Sequence, residues 1–250
     1  MSVAMLSLLL APVLGAPLDE PAVELRYSGT LSSVSREGGE SAGRKFDVYY
    51  LLQKSAGENR RLAFLVDERG DGWPWPERFG QLEFDANHQA SGARRPQLLQ
   101  MHDGNQNAVP ILLPLFPNFS KLKEDAEWTE GKFSYVVQRR RKVEERDCWQ
   151  IEASTNFGRA QTLTVEADSG LVVTLEQKLF MGRGDQYALK MQLDSVKPVD
   201  AASLVKLQSP LESLLQLQQE MKRPENEMKP ELTADQLQLV LAGAGKLEKD

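Results

Sequence analysis

The sequence predicts a mainly β protein with C-terminal helices (α+β): a curved antiparallel sheet or half-barrel of about 8–10 strands, followed by two or three helices. Three observations predict it. Apolar and polar residues alternate with period two from about residue 22 to residue 196, turn-forming residues interrupt that stretch at short intervals, and after Pro198 the apolar spacing becomes helical. The expected organisation is a signal peptide over 1–15, an antiparallel β domain over 16–198, and a helical segment over 199–250 that packs on the sheet or serves as a linker.

The chain opens MSVAMLSLLLAPVLGAP, an uncharged apolar run from Val3 to Leu14 that ends in small residues. This is the pattern of a secretory h-region and cleavage site, with the cut expected after Gly15. The run is shorter than the ~20 residues needed to cross a bilayer, so export to the periplasm or the extracellular space is expected and a transmembrane span is not. Strand patterns follow. Val23, Leu25 and Tyr27 alternate with Glu24 and Arg26; Phe46, Val48, Tyr50 and Leu52 share one face; Leu62, Phe64 and Val66 share another. Alternate side chains of a strand point to opposite sides, so each segment has one dry and one wet face, as in an antiparallel sheet with a single buried side. Gly38-Gly39, Asp103-Gly104, Asn156-Phe157-Gly158 and Asp168-Ser169-Gly170 supply turns, being residue types that tolerate positive φ. From Phe133 onward the spacing predicts a meander with strands over 132–143, 147–155, 159–167, 171–180 and 186–196. Beyond Pro198, Ser209-Pro210-Leu211-Glu212 reads as a helix start with a capping box and proline at the first helical position, and Thr233-Ala234-Asp235-Gln236 repeats that logic.

A net charge of −6 over 250 residues argues against a nucleic-acid partner, which would need a basic face to displace counterions. The basic run Arg139 to Lys142 is followed at once by Glu144, Glu145 and Asp147, and is read as the far end of a hairpin, with Arg139 and Arg141 sharing the parity of Phe133, Tyr135 and Val137. Cys148 is alone, so no internal disulfide is expected, and beside Trp149 in a strand it reads as buried and inert. His88 and His102 fall in no ligand-spaced cluster, and no nucleophile–base or phosphate-loop motif is present. No catalytic residue, cofactor or metal site is therefore expected.

Two segments are candidates for binding. Asn107 to Ser120 reads NAVPILLPLFPNFS, an apolar run broken by three prolines. Proline removes ladder donors, so the run is not a central strand along its whole length. It suits either a mouth that contacts a greasy ligand, lined by Leu112, Leu113, Leu115 and Phe116, or a loop that covers the core. The second segment, DGWPWPERFG from Asp71 to Gly80, sets Trp73 and Trp75 between prolines, a stiff aromatic turn that could stack on a ligand or a partner peptide, or plug one end of the sheet. Arg183-Gly184-Asp185 reads as a hairpin turn rather than an adhesion signal.

Residues 132–196 combine a Tyr-x-Val strand, a charged hairpin ending in Cys148-Trp149-Gln150-Ile151, the hairpin Asp168-Ser169-Gly170-Leu171-Val172-Val173 and a long alternating final strand. This combination resembles the half-barrel sheet of bacterial outer-membrane lipoprotein carriers (LolA-like) and related envelope proteins. The resemblance implies a curved sheet wrapped around helices, with apolar ligands between them. The expectation is a non-enzymatic exported envelope protein that binds a lipid or acyl chain in a concave sheet. The alternative is a structural or interaction module that meets an envelope protein partner through the Trp73/Trp75 turn or the Arg139–Arg141 hairpin.

Overall fold

A computed structural model describes residues 17–221 apart from 36, 56, 69–77, 93 and 183. The signal-peptide segment, Trp73, Trp75 and the second expected helix lie outside the described residues. Among those described, the strands are β1 (Ala22–Val34), β2 (Arg44–Lys54), β3 (Arg60–Glu68), β4 (Phe79–Phe84), β5 (Ala90–Ser91), β6 (Gln97–His102), β7 (Asn105–Pro110), β8 (Glu127–Glu130), β9 (Phe133–Val143), β10 (Arg146–Thr155), β11 (Gly158–Glu166), β12 (Val172–Met181) and β13 (Asp185–Pro198). Eleven of them form one curved, open antiparallel sheet in the order β5-β4-β3-β2-β1-β13-β12-β11-β10-β9-β8. The expected strand total is slightly exceeded because β5 and β8, two and four residues long, are too short to show alternation.

The sheet consists of two meanders. β1 to β5 run outward to one edge, β13 back to β8 run outward to the other, and β1 pairs with β13 at the centre, from Val23 opposite Pro198 to Val34 opposite Gln186. The chain therefore leaves one edge of the sheet at β5 and re-enters at the opposite edge at β8, and residues 92–126 must cross a face of the sheet. They cross the dry face. Leu25, Val48, Phe64, Leu175 and Leu189 are buried there, together with Leu98 of β6, Val109 of β7, and Ile111, Leu115 and Phe116 of the apolar run. Asn107–Pro110 is thus strand, pairing in the small β6–β7 hairpin, and only the residues after it form an irregular strap.

Two local readings are corrected. The pairing of β9 with β10 shifts between Trp149, opposite Arg140, and Ile151, opposite Val137. The extra residue on β9 is a bulge, and it reverses the parity beyond it. Arg140 therefore shares a face with Trp149, with the guanidinium carbon 5.6 Å from its ring centroid, while Arg141 donates to Thr164 Oγ1 at 2.9 Å on the other side. The described helix, α1 (Ala201–Met221), also starts earlier than the capping box at Ser209 predicts. Asp200 is the cap: its Oδ1 accepts from the backbone N–H groups of Ala202 and Ser203, both at 2.9 Å. Ser209 and Pro210 lie inside α1. No residue of α1 belongs to the described core; the dry face is covered by the β6–β7 hairpin and the strap.

Candidate functional site

The candidate site is the dry face of the sheet beneath the strap. Pro114 and Pro117 prevent the strap from forming a ladder. It meets the turn between β11 and β12 through an isolated bridge, Leu115 with Leu171, in which Phe116 N–H donates to Gly170 O and Val172 N–H donates to Pro114 O, each at 2.8 Å. Tyr50 reaches up from β2 to donate its hydroxyl proton to Leu112 O at 3.0 Å, and the neighbouring Tyr27 hydroxyl donates to Val172 O at 2.6 Å. The two rings meet edge to face, 5.7 Å apart. Burial raises both phenol pKa values well above their ordinary range, so both hydroxyls remain donors.

The far end of the strap is held by the turn between β4 and β5. Asn118 N–H donates to Asn87 O at 2.8 Å, His88 Nδ1 lies 3.3 Å from Phe116 O, and the His88 ring stacks on Phe119 at 4.6 Å. Burial lowers the His88 pKa, so the ring is neutral and its Nδ1–H is the donor to that carbonyl. Phe119 also packs against Gly170, whose φ is +70° and whose added Cβ would fall 2.6 Å from the Phe119 ring. Glycine is required there for its conformation and for its lack of a side chain. The turn it belongs to is braced by Glu166, which pairs with Arg146 at 2.8 Å and accepts from the Ser169 hydroxyl.

Of the expected ligand-contacting residues, Leu115 and Phe116 are buried against the sheet, and Leu112 and Leu113 are half-buried on the core. The structure brings these four together; Trp73 and Trp75 lie outside the described residues. Phe116 meets Trp128 of β8 edge to face at 6.3 Å, and Trp128 stacks on Tyr135 at 4.9 Å. Sequence reasoning placed Tyr27 and Tyr50 on the inner face but could not assign their hydroxyls, because both acceptors are distant in the chain. Cys148 is fully buried, as expected, and burial beside Glu166 pushes its thiol up to about 11, which disfavours the thiolate.

The opposite face carries a groove of about 480 Å³ around Gly29, lined by Ser28, Thr30, Lys45, Glu176 and Lys190 among others. It holds both signs of charge, and Lys190 is paired with Glu40 at 2.7 Å. At the tip of the β6–β7 hairpin, His102, Asp103 and Asp185 converge although they belong to different parts of the sequence. No described helix is long and apolar enough to cross a membrane.

No protein-family model matches the chain, and no curated protein does. Among solved structures it is similar to a DUF1329 family protein from Desulfovibrio piger (10% identity, TM-score 0.27, covering 73% of this chain and 87% of that one). It is also similar to a LolA superfamily protein from Nitrosomonas europaea (10%, 0.20, 71% and 86%). A third is an outer-membrane lipoprotein-sorting protein domain from Vibrio parahaemolyticus (7%, 0.22, 72% and 88%). These scores are too low to carry an argument about shared activity.

Proposed function

We propose that this is a non-enzymatic envelope protein that binds a lipid or acyl chain against the dry face of its sheet, and that the strap occupies this face when no ligand is bound. The strap carries the reading. It brings Leu112, Leu113, Leu115 and Phe116 to an apolar surface, yet its prolines deny it the continuous hydrogen bonding that fixes a strand. A ligand chain could replace those side chains contact for contact, and releasing the strap would break scattered hydrogen bonds rather than a strand ladder. The lipoprotein-sorting description of one similar structure agrees with this reading but adds no weight to it.

Trp128 is the reporter, since Phe116 rests against it. With Trp73, Trp75 and Trp149 replaced by Phe, titration with fatty acids of increasing length should shift Trp128 emission. Each added CH₂ contributes about 0.8 kcal/mol, so affinity should rise roughly fourfold per carbon until the site is filled. Native mass spectrometry after gentle purification should show a co-purified lipid. A protein that carries no lipid, and whose Trp128 emission ignores every chain length, would refute the reading.

A further inference from the structure

His102 closes β6, Asp103 opens the turn that follows it, and Asp185 opens β13. His102 Nε2 lies 3.5 Å from Asp103 Oδ2 and 3.2 Å from Asp185 Oδ2. The imidazole is nine-tenths buried, at 10% exposure, and its Nε2 has no hydrogen-bond partner. A buried, unpartnered ring nitrogen aimed between two carboxylates is costly unless something occupies the space between them. We propose that a divalent transition-metal ion of the zinc class binds there, held by His102 Nε2, Asp103 Oδ2 and Asp185 Oδ2, and clamps the covering hairpin to the rim of the sheet.

Ligand spacing fits such an ion. A tetrahedral metal with arms of about 2.0–2.1 Å sets its donor atoms about 3.3 Å apart, close to both measured separations. An imidazole with two carboxylates suits zinc and its neighbours better than calcium or magnesium, which take oxygen ligands. The other ring nitrogen is already oriented: His102 Nδ1 is 3.0 Å from the Tyr187 hydroxyl, so an Nδ1–H donated to that oxygen leaves Nε2 free to bind metal. Gly182 clears the approach. A Cβ on it would stand 2.5 Å from Nε2, and its φ of +53° already disfavours a side chain. A cavity of about 280 Å³, lined by His102, Asp103, Asn105, Asn107 and Gly182, adjoins the cluster and leaves room for a metal-bound water.

The test uses the untagged full chain, stripped with a chelator and titrated with zinc in competition with a chromogenic chelator. One zinc per chain is expected. Asp103→Asn and Asp185→Asn, at positions with 70% and 65% exposed side chains, should fold normally and each weaken binding at least tenfold. His102→Gln should abolish it, and Tyr187→Phe should weaken it about 10- to 100-fold through the orienting contact. Cobalt(II) should give the intense visible bands of a four-coordinate ion, and zinc should slow amide exchange over 97–110 in the native chain but not in Asp185→Asn. Zinc affinity unchanged by both asparagine variants, or uptake that does not saturate at one per chain, would overturn the proposal. So would tightening of the 97–110 hairpin by acid alone and not by zinc, because the gap would then hold an imidazolium proton.

Discussion

The cover over the sheet is fastened differently at its two ends. At the hairpin end, Arg44 donates to Leu99 O at 2.9 Å while pairing with Glu68 at 3.1 Å, and Arg78 joins Glu68 from 3.4 Å. Glu68 and Arg78 are almost wholly buried, with side chains 2% and 4% exposed. At the strap end the ties are neutral: a tyrosine hydroxyl on Leu112 O, an isolated bridge at Leu115, and an uncharged His88 on Phe116 O. Buried charges cannot be left unpaired without a large penalty, whereas neutral groups can exchange partners cheaply. The contrast makes the hairpin the more firmly tied end, and under the proposed function the strap is the end that would yield to a ligand.

Four experiments would break or sharpen that contrast. The largest effect is expected from Glu68→Ala, which removes the buried carboxylate that Arg44 and Arg78 share and should cost about 3–5 kcal/mol in urea unfolding. A loss below about 1 kcal/mol would mean that the hairpin end is no firmer than a surface ion pair. Phe116→Ala should cost roughly 3–5 kcal/mol by leaving a cavity on the sheet, yet should strengthen fatty-acid binding because the vacated surface becomes available. If it weakens both, the strap is core and not a placeholder. Tyr50→Phe should cost only about 0.5–1.5 kcal/mol, leaving Leu112 O to be resatisfied as the strap shifts.

The smallest effect is a pH dependence. Burial depresses the folded-state pKa of His88; Arg60 adds to this, and Asp85 and the Phe116 carbonyl oppose it. A depressed histidine stabilises the fold fully above its unfolded value of about 6.5, and that contribution is lost as pH falls toward and through the folded value. Stability should therefore decline below about pH 6.5 by less than about 1.4 kcal/mol per unit, and His88→Gln should flatten this part of the curve. An unchanged slope would remove His88 from the fastening.

Strand identity and facing were legible wherever both neighbours along the chain obey the alternation. Phe46, Val48, Tyr50 and Leu52 point into the core, and Asp168-Ser169-Gly170 turns between β11 and β12, as read from the residues alone. What the residues did not disclose is non-local. The bulge opposite Gln150 depends on how two strands register, and it moved Arg140 to the face of Trp149. The start of α1 at Asp200 was hidden by a stronger-looking signal at Ser209 that lies within the helix. The strap's apolar content announced burial and its prolines excluded a ladder, but only the edge-to-edge path from β5 to β8 places it over the sheet. His102 has no ligand-spaced neighbour in sequence apart from Asp103; Asp185 reaches it through the turn between β12 and β13.

The seam between β1 and β13 brings together Ser28 and Asp194, which lie 166 positions apart and hydrogen-bond at 2.8 Å. A chain still being made must therefore keep the thirteen-residue flank of β1 unpaired until almost everything else has been synthesised. Such a flank is adhesive toward other strands, including those of sister chains. The order in which the strands are written therefore favours slow closure of the sheet, whatever their individual propensities.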